Sequence, residues 1–160
     1  MKGVFITFEG IEGSGKSSQV AMLADHLTAR GRPVTVTREP GGTPIGDQVR
    51  AILLDPMNKI LDPKAELFLY AASRAQHLRE VIAPSLEAGN VVLCDRFSDA
   101  TIAYQGYGRG LDLEMIYEID RIVTSGMRPE LTLLLDIEAP AGLARGSPSA
   151  RSRDKRAPHA

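Results

Sequence analysis

Cysteine, one-signed charge and long apolar runs are all scarce in this chain, and each scarcity closes off a class of protein. The single cysteine, Cys94, leaves no intrachain disulfide to form, which suits a reducing cytosol. Nineteen Lys and Arg stand against 20 Asp and Glu, a net charge of −1. That balance exerts no general pull toward nucleic acid or an anionic membrane surface. No apolar run approaches the roughly 20 residues that a membrane-spanning helix needs. Met1-Lys2-Gly3 leads directly into an apolar stretch, without the layout of a secretory signal. No internal repeat is visible. The expectation is a soluble cytoplasmic protein with one domain, since 160 residues suffice to bury a core.

What is present is concentrated in Gly10-Ile11-Glu12-Gly13-Ser14-Gly15-Lys16-Ser17, which fits the phosphate-loop pattern G-x-x-x-x-G-K-[ST]. Its context fits as well. Val4-Phe5-Ile6-Thr7-Phe8 reads as a buried strand before the loop, and Val20, Met22, Leu23, Ala24 and Leu27 recur at helical spacing after it. Glycines without a Cβ let the backbone wrap and aim successive N–H groups inward, and the helix N-terminus adds partial positive charge. Lys16 is expected to reach the β- and γ-phosphates of a nucleotide, and Ser17 to offer its hydroxyl to Mg²⁺. The alternative is a glycine-rich turn that binds nothing; the agreement of strand, motif and helix weighs against it.

The rest of the chain alternates helices with short apolar strands. Arg30-Gly31-Arg32-Pro33 stops the first helix, and Val34-Thr35-Val36-Thr37 reads as a second strand. Thr43-Pro44 opens a helix through Leu54, and Asp62-Pro63 a second one from about Lys64 to Ala88, bent at Pro84. Val91-Val92-Leu93-Cys94 is a continuous apolar run, as in a parallel strand covered on both faces. Ser98 to Gly110 reads as loop plus a short helix, Asp112 to Ser125 as a helix, and Leu131 to Asp136 as a fourth strand. This order predicts an α/β fold of the P-loop NTPase type, with three layers and a parallel sheet covered by helices on both faces. Ligands of such a sheet sit at the carboxyl ends of the strands. Residues 1–145 form the expected core. Residues 146–160 are rich in Gly, Ser, Pro, Arg and Ala without apolar periodicity, and read as a disordered tail.

Charged residues follow three of the strands directly: Glu9, Arg38-Glu39 and Asp95-Arg96. Surface ion pairs of little consequence are one reading of each. Three at one sheet edge favour a site. Asp95 suits a direct or indirect Mg²⁺ contact, and the planar fork of Arg96 suits a phosphate. Arg74 follows Tyr70 by one helical turn, so the two share a face. A ring beside a guanidinium suits a stacked base and its phosphate, while a core tyrosine beside a surface arginine is the commoner arrangement for such spacing.

Taken together, Phe8 to Ser17, Arg38-Glu39-Pro40-Gly41-Gly42-Thr43, Tyr70-Ala71-Ala72-Ser73-Arg74, Asp95-Arg96-Phe97 and Ala103 to Gly110 resemble the bacterial thymidylate kinase family, in order and with its spacing, over about residues 3 to 145. The phosphate loop alone is generic; Arg-Glu-Pro-Gly-Gly and Tyr-Gln-Gly narrow the match. The resemblance implies transfer of the γ-phosphate of ATP to dTMP, giving dTDP and ADP, by a cytoplasmic homodimer. It implies that Lys16 and Ser17 serve ATP and Mg²⁺, that Glu39 stands near the dTMP sugar and metal, and that Arg50, Arg74 and Arg96 surround the acceptor. Tyr70 stands where the family usually stacks Phe on thymine, Gln105 where the thymine edge is hydrogen-bonded, and Thr101 at a small hydroxyl position near the base.

The family pattern with Gly at position 13 takes its arginine from a lid after the fourth strand. Residues 146–160 do not read as that lid or the closing elements. Arg151, Arg153 and Arg156 are there, as remnants of a lid or as solvated charges. An early stop or a frame change after about Arg145 would account for this. Other readings are another nucleoside monophosphate kinase, a partly folded fragment, or a GTPase-like switch. The last lacks its guanine-reading stretch, since Asn58-Lys59-Ile60-Leu61 has no Asp and comes too early.

Overall fold

The structure, a computed structural model, describes residues 3–146. Four parallel strands form one sheet in the order β2-β3-β1-β4. They are β1 (Val4–Glu9), β2 (Val34–Arg38), β3 (Val91–Asp95) and β4 (Leu131–Leu134). Between them lie α1 (Lys16–Thr28), α2 (Pro44–Leu54), α3 (Pro63–His77), α4 (Ala83–Glu87), α5 (Ser98–Thr101), α6 (Leu113–Thr124) and, after β4, α7 (Ala139–Gly146). The expected α/β fold of the P-loop type is the one observed.

The register puts the chemistry at one edge. Phe8 pairs with Asp95, and Asp95 with Arg38, so β1, β3 and β2 end level with one another. β3 is central, and its alternate residues serve opposite layers. Val92 and Cys94 pack with Phe5, Leu78, Ile82 and Phe97 on one face; Val91 and Leu93 pack with Phe8 and Val20 on the other. This explains the unbroken apolar run at 91–94: a strand between two covered faces has no solvent side to make polar.

Local chemistry sets the helix starts. Thr43 caps α2 by accepting from Gly46 N–H at 2.9 Å, Asp62 caps α3 through Lys64 and Ala65, and Asp112 caps α6 through Met115. Pro44 and Pro63 follow their caps in the first turn, where no intrahelical donor is lost.

Three expectations need correction. The helix expected over 64–88 is α3 and α4 joined by a π-helical stretch, Leu78–Ile82. Pro84 has no N–H and its ring would crowd the preceding turn, and the wider turn directly ahead of it relieves this. Ser98 to Gly110 is more regular than a loop, with α5 running into a second π-helical stretch, Ile102–Gly108. The fourth strand ends at Leu134, level with Glu9, because its partner β1 turns away there into the phosphate loop. The tail expectation and Arg151, Arg153 and Arg156 lie outside the described residues. No helix among the described residues is long and apolar enough to cross a membrane.

Candidate active site

The strand ends open into a cleft of about 1100 Å³. On one wall is the phosphate loop. Gly10, Gly13 and Gly15 all have positive φ. At Gly10 a side chain is excluded twice, by its φ of 140° and by the Leu135 carbonyl 2.5 Å from where a Cβ would lie. Lys16 opens α1 yet is buried, and its Nζ donates to the carbonyls of Gly10 (2.9 Å) and Ile11 (2.8 Å), with Ser14 Oγ at 3.5 Å. Burial, and then the nearby Arg96, lower the Lys16 ammonium pKa. Ser17 Oγ donates to Asp95 Oδ2 at 2.9 Å, joining the loop to the end of β3. These two oxygen-bearing side chains are of the hard type that would hold Mg²⁺.

The opposite wall is built from side chains far apart in sequence. Arg74, 4% exposed, lies at its centre. Its Nε donates to Glu39 Oε2 (2.7 Å), Nη1 to Asp120 Oδ1 (3.2 Å), and Nη2 to the Phe97 carbonyl (3.0 Å) and Thr101 Oγ1 (2.9 Å). The guanidinium also stands over the Phe97 ring, 5.1 Å from its centroid. The flanking carboxylates keep Arg74 charged although burial opposes it. It is therefore no surface charge, and its hydrogen bonds hold this wall together. Glu39 is held a second time by His77, whose Nδ1 lies 3.0 Å from Oε1. Because a carboxylate accepts only, that nitrogen carries the proton, and Nε2 faces the Thr37 hydroxyl at 2.6 Å. Asp120 also accepts from Ser98 and from Arg128, which closes the network at the solvent side.

Arg96 holds a left-handed backbone, φ 74°, uncommon for a residue with a side chain. Two bonds hold the corner: Arg96 N–H donates to the Phe8 carbonyl (2.9 Å), and Phe97 N–H to Glu9 Oε1 (2.7 Å). The turn carries the Arg96 guanidinium over the Tyr104 ring, 5.2 Å from its centroid. Glu9 sits beneath with its carboxyl pushed up to about 7, chiefly by burial, with the Phe97 N–H opposing and the charge of Asp99 adding. Arg50 Nη1 donates to the Pro40 carbonyl at 2.8 Å, and burial, then Arg38, lower its pKa. Tyr70 is half-buried on the cleft wall; burial and then Glu66 raise its phenol pKa. Gln105 is buried and donates to Glu66.

Of the residues singled out from sequence, Glu12, Gly13, Gly15, Lys16, Ser17, Glu39, Arg50, Tyr70, Arg74, Asp95, Arg96, Thr101 and Gln105 all line the cleft. Gly10, Ile11 and Ser14 stand behind it as the cradle of Lys16. Sequence reasoning missed Glu66, His77, Asp120 and Tyr104. The first three carried a signal, a polar residue on the apolar face of a helix. Tyr104 carried none beyond the Tyr-Gln-Gly stretch.

A strand, a glycine loop and a helix at the carboxyl edge of a parallel sheet, facing a wall of arginines and carboxylates, define a P-loop nucleotide-binding protein arranged for phosphoryl transfer. The family model described as thymidylate kinase matches residues 8–157. A thymidylate kinase from Geotalea daltonii is 59% identical over 143 residues, covering 89% of this chain and 67% of that protein. One from Syntrophotalea carbinolica is 59% identical over 150 residues, covering 94% and 68%. Among solved structures, the thymidylate kinase from Ehrlichia chaffeensis superposes with a TM-score of 0.81 at 38% identity, covering 98% of this chain and 89% of that one. The chain belongs to the thymidylate kinase family, and it spans about two thirds of the length of the curated relatives it matches.

Proposed function

We propose that this chain transfers the γ-phosphoryl group of ATP to dTMP, giving dTDP and ADP. The observation that carries the reading is one cleft with two unlike walls, a phosphate loop on one and Glu39, Arg50, Tyr70, Arg96, Thr101 and Gln105 on the other. Phosphoryl transfer asks little covalent chemistry of a protein; it asks for positioning and for cancellation of charge between two anions. Lys16 and the loop N–H groups take the ATP phosphates. Arg96 and Arg50 take the acceptor phosphate, Tyr70 stacks the base, and Gln105 reads its edge. Glu39, held by Arg74 and His77, orients the acceptor sugar. Ser17 and Asp95 would hold Mg²⁺, which supplies charge neutralisation along the phosphate chain when bound. Closing the cleft over both substrates excludes water and so limits ATP hydrolysis.

Base identity favours dTMP over other nucleoside monophosphates through Gln105 and Tyr70. Coupled turnover of the 160-residue chain with ATP and Mg²⁺ tests this, with dTMP beside dUMP, dGMP and dCMP. Turnover selective for dTMP is expected. Equal turnover of a purine monophosphate would overturn the base assignment. Absence of both turnover and dTMP binding would overturn the function.

The reading includes a cytoplasmic setting and a homodimer. Exposed Phe68 on α3, with Tyr117 and Ile122 on α6, supports self-association through the helices on that side of the sheet. Sedimentation that shows only monomer at micromolar concentration would remove the dimer. Residues 1–145 as the nucleotide-binding core, with 146–160 as a separate tail, belong to the same proposal.

A further inference from the structure

Gln105 is held from behind. Its Nε2 donates to Glu66 Oε1 at 2.7 Å, and both side chains are buried. Glu66 is itself fixed by Arg109, whose Nη2 donates to Oε2 at 2.8 Å and whose Nε lies 3.4 Å from Oε1. Arg109 comes from the turn after the π-helical stretch that carries Gln105, so the carboxylate is gripped between two residues of one segment. A carboxylate can only accept hydrogen bonds, and an amide has a donating end and an accepting end. The pairing therefore decides which end of Gln105 points inward. The NH₂ group must face Glu66, and Oε1 is the end left for the cleft. Among the described residues no group donates to that oxygen, and Gln105 lines the cleft.

We propose that Glu66 is a positioning residue that sets base preference: by fixing the amide of Gln105 it presents an acceptor oxygen to the base, which selects a ring carrying N–H at that edge over one carrying a lone pair. Thymine and uracil have an N–H at ring position 3; cytosine has a lone pair there. Two acceptors facing each other without a proton between them leave both unpaired, and a buried unpaired polar group is costly. This inference rests on the dTMP reading above. It adds that the discrimination is made one layer behind the residue that touches the base.

The test compares dTMP and dCMP binding by calorimetry on the full chain, so that it does not depend on turnover. Glu66→Gln keeps the size of the side chain but gives it a donor, so the amide of Gln105 becomes free to turn over. The ratio of dTMP to dCMP affinity is expected to fall roughly tenfold or more, mainly through tighter dCMP binding. A merely structural role for Glu66 would weaken both ligands together and leave the ratio alone. Arg109→Gln, on the exposed side of the pair, is expected to lower the ratio in the same direction by less. An unchanged ratio in a folded Glu66→Gln chain overturns the proposal. Should that variant not fold, an unchanged ratio in Arg109→Gln overturns it. Wild-type protein that does not prefer dTMP would instead sink the dTMP reading and this proposal with it; selective wild type with unaltered variants sinks this proposal alone.

Discussion

The two walls of the cleft are built on different principles. The phosphate-loop wall is made by contiguous backbone: eight consecutive residues, with the Lys16 ammonium folded onto two of their own carbonyls. The opposite wall is made by buried acidic and basic side chains from α3, α6 and the end of β2, joined through Arg74, which also meets the Phe97 carbonyl and the Thr101 hydroxyl. A loop of that kind can lose a side chain without collapsing, since its shape is a matter of dihedral angles. A charge network cannot, because removing one member leaves its partners buried and uncompensated. The walls should therefore fail differently, one in rate and the other in stability.

Substitutions can sharpen or break that contrast. The largest effect is expected at Arg74. Arg74→Leu strands Glu39 and Asp120, and denaturant unfolding should show a loss of about 3–5 kcal/mol. A loss well under that would mean that the network is solvated and the contrast mistaken. Lys16→Ala comes next, with the opposite signature. Its kcat should fall roughly 10²–10³-fold, the scale for removing one preorganised donor, with dTMP affinity and melting temperature nearly unchanged. A large drop in melting temperature would show that the loop needs its lysine to hold shape.

Third is pH. The Glu9 carboxyl is raised from 4.5 to about 7, so the folded chain holds this proton where the unfolded chain has released it. Stability should then decline as pH rises through that window, by about 3 kcal/mol from this group. Glu9→Gln should flatten that part of the stability–pH curve; the same slope in the variant would assign it elsewhere. The smallest effect belongs to Arg128, more than half exposed at the outer end of the network. Arg128→Ala should cost about 1 kcal/mol or less in thermal unfolding, since solvent takes over much of its role. A cost close to that of Arg74→Leu would show that the network has no solvent-facing end.

How much of this could be seen in the sequence follows the same division. The phosphate loop was legible because its residues are adjacent and its glycines answer to local geometry. The central strand was legible because two covered faces leave a run of four apolar residues at 91–94. The members of the acceptor wall were legible one at a time, through motif resemblance, but their connections were not. Nothing near Glu39 in sequence announces His77 or Arg74, and Asp120, although it breaks the apolar face of α6, shows no partner until Arg74 and Ser98 are seen to meet it. The π-helical turns were not legible either. They depend on how a proline or a helix end is accommodated against its neighbours, and not on any period in the chain.

One consequence concerns design, and it comes from the histidine under Glu39. Gly42 has φ 82°, and a methyl group placed there would lie 2.8 Å from both His77 Nε2 and Thr37 Oγ1. The second glycine of Arg-Glu-Pro-Gly-Gly is thus dictated by a ring 35 positions further along. An engineer who wants to put any side chain on this loop must first empty the space beneath it, and in doing so removes one of the two groups that hold the acceptor carboxylate. The loop, the histidine and the strand threonine form a single unit of exchange, to be grafted or redesigned together or left in place.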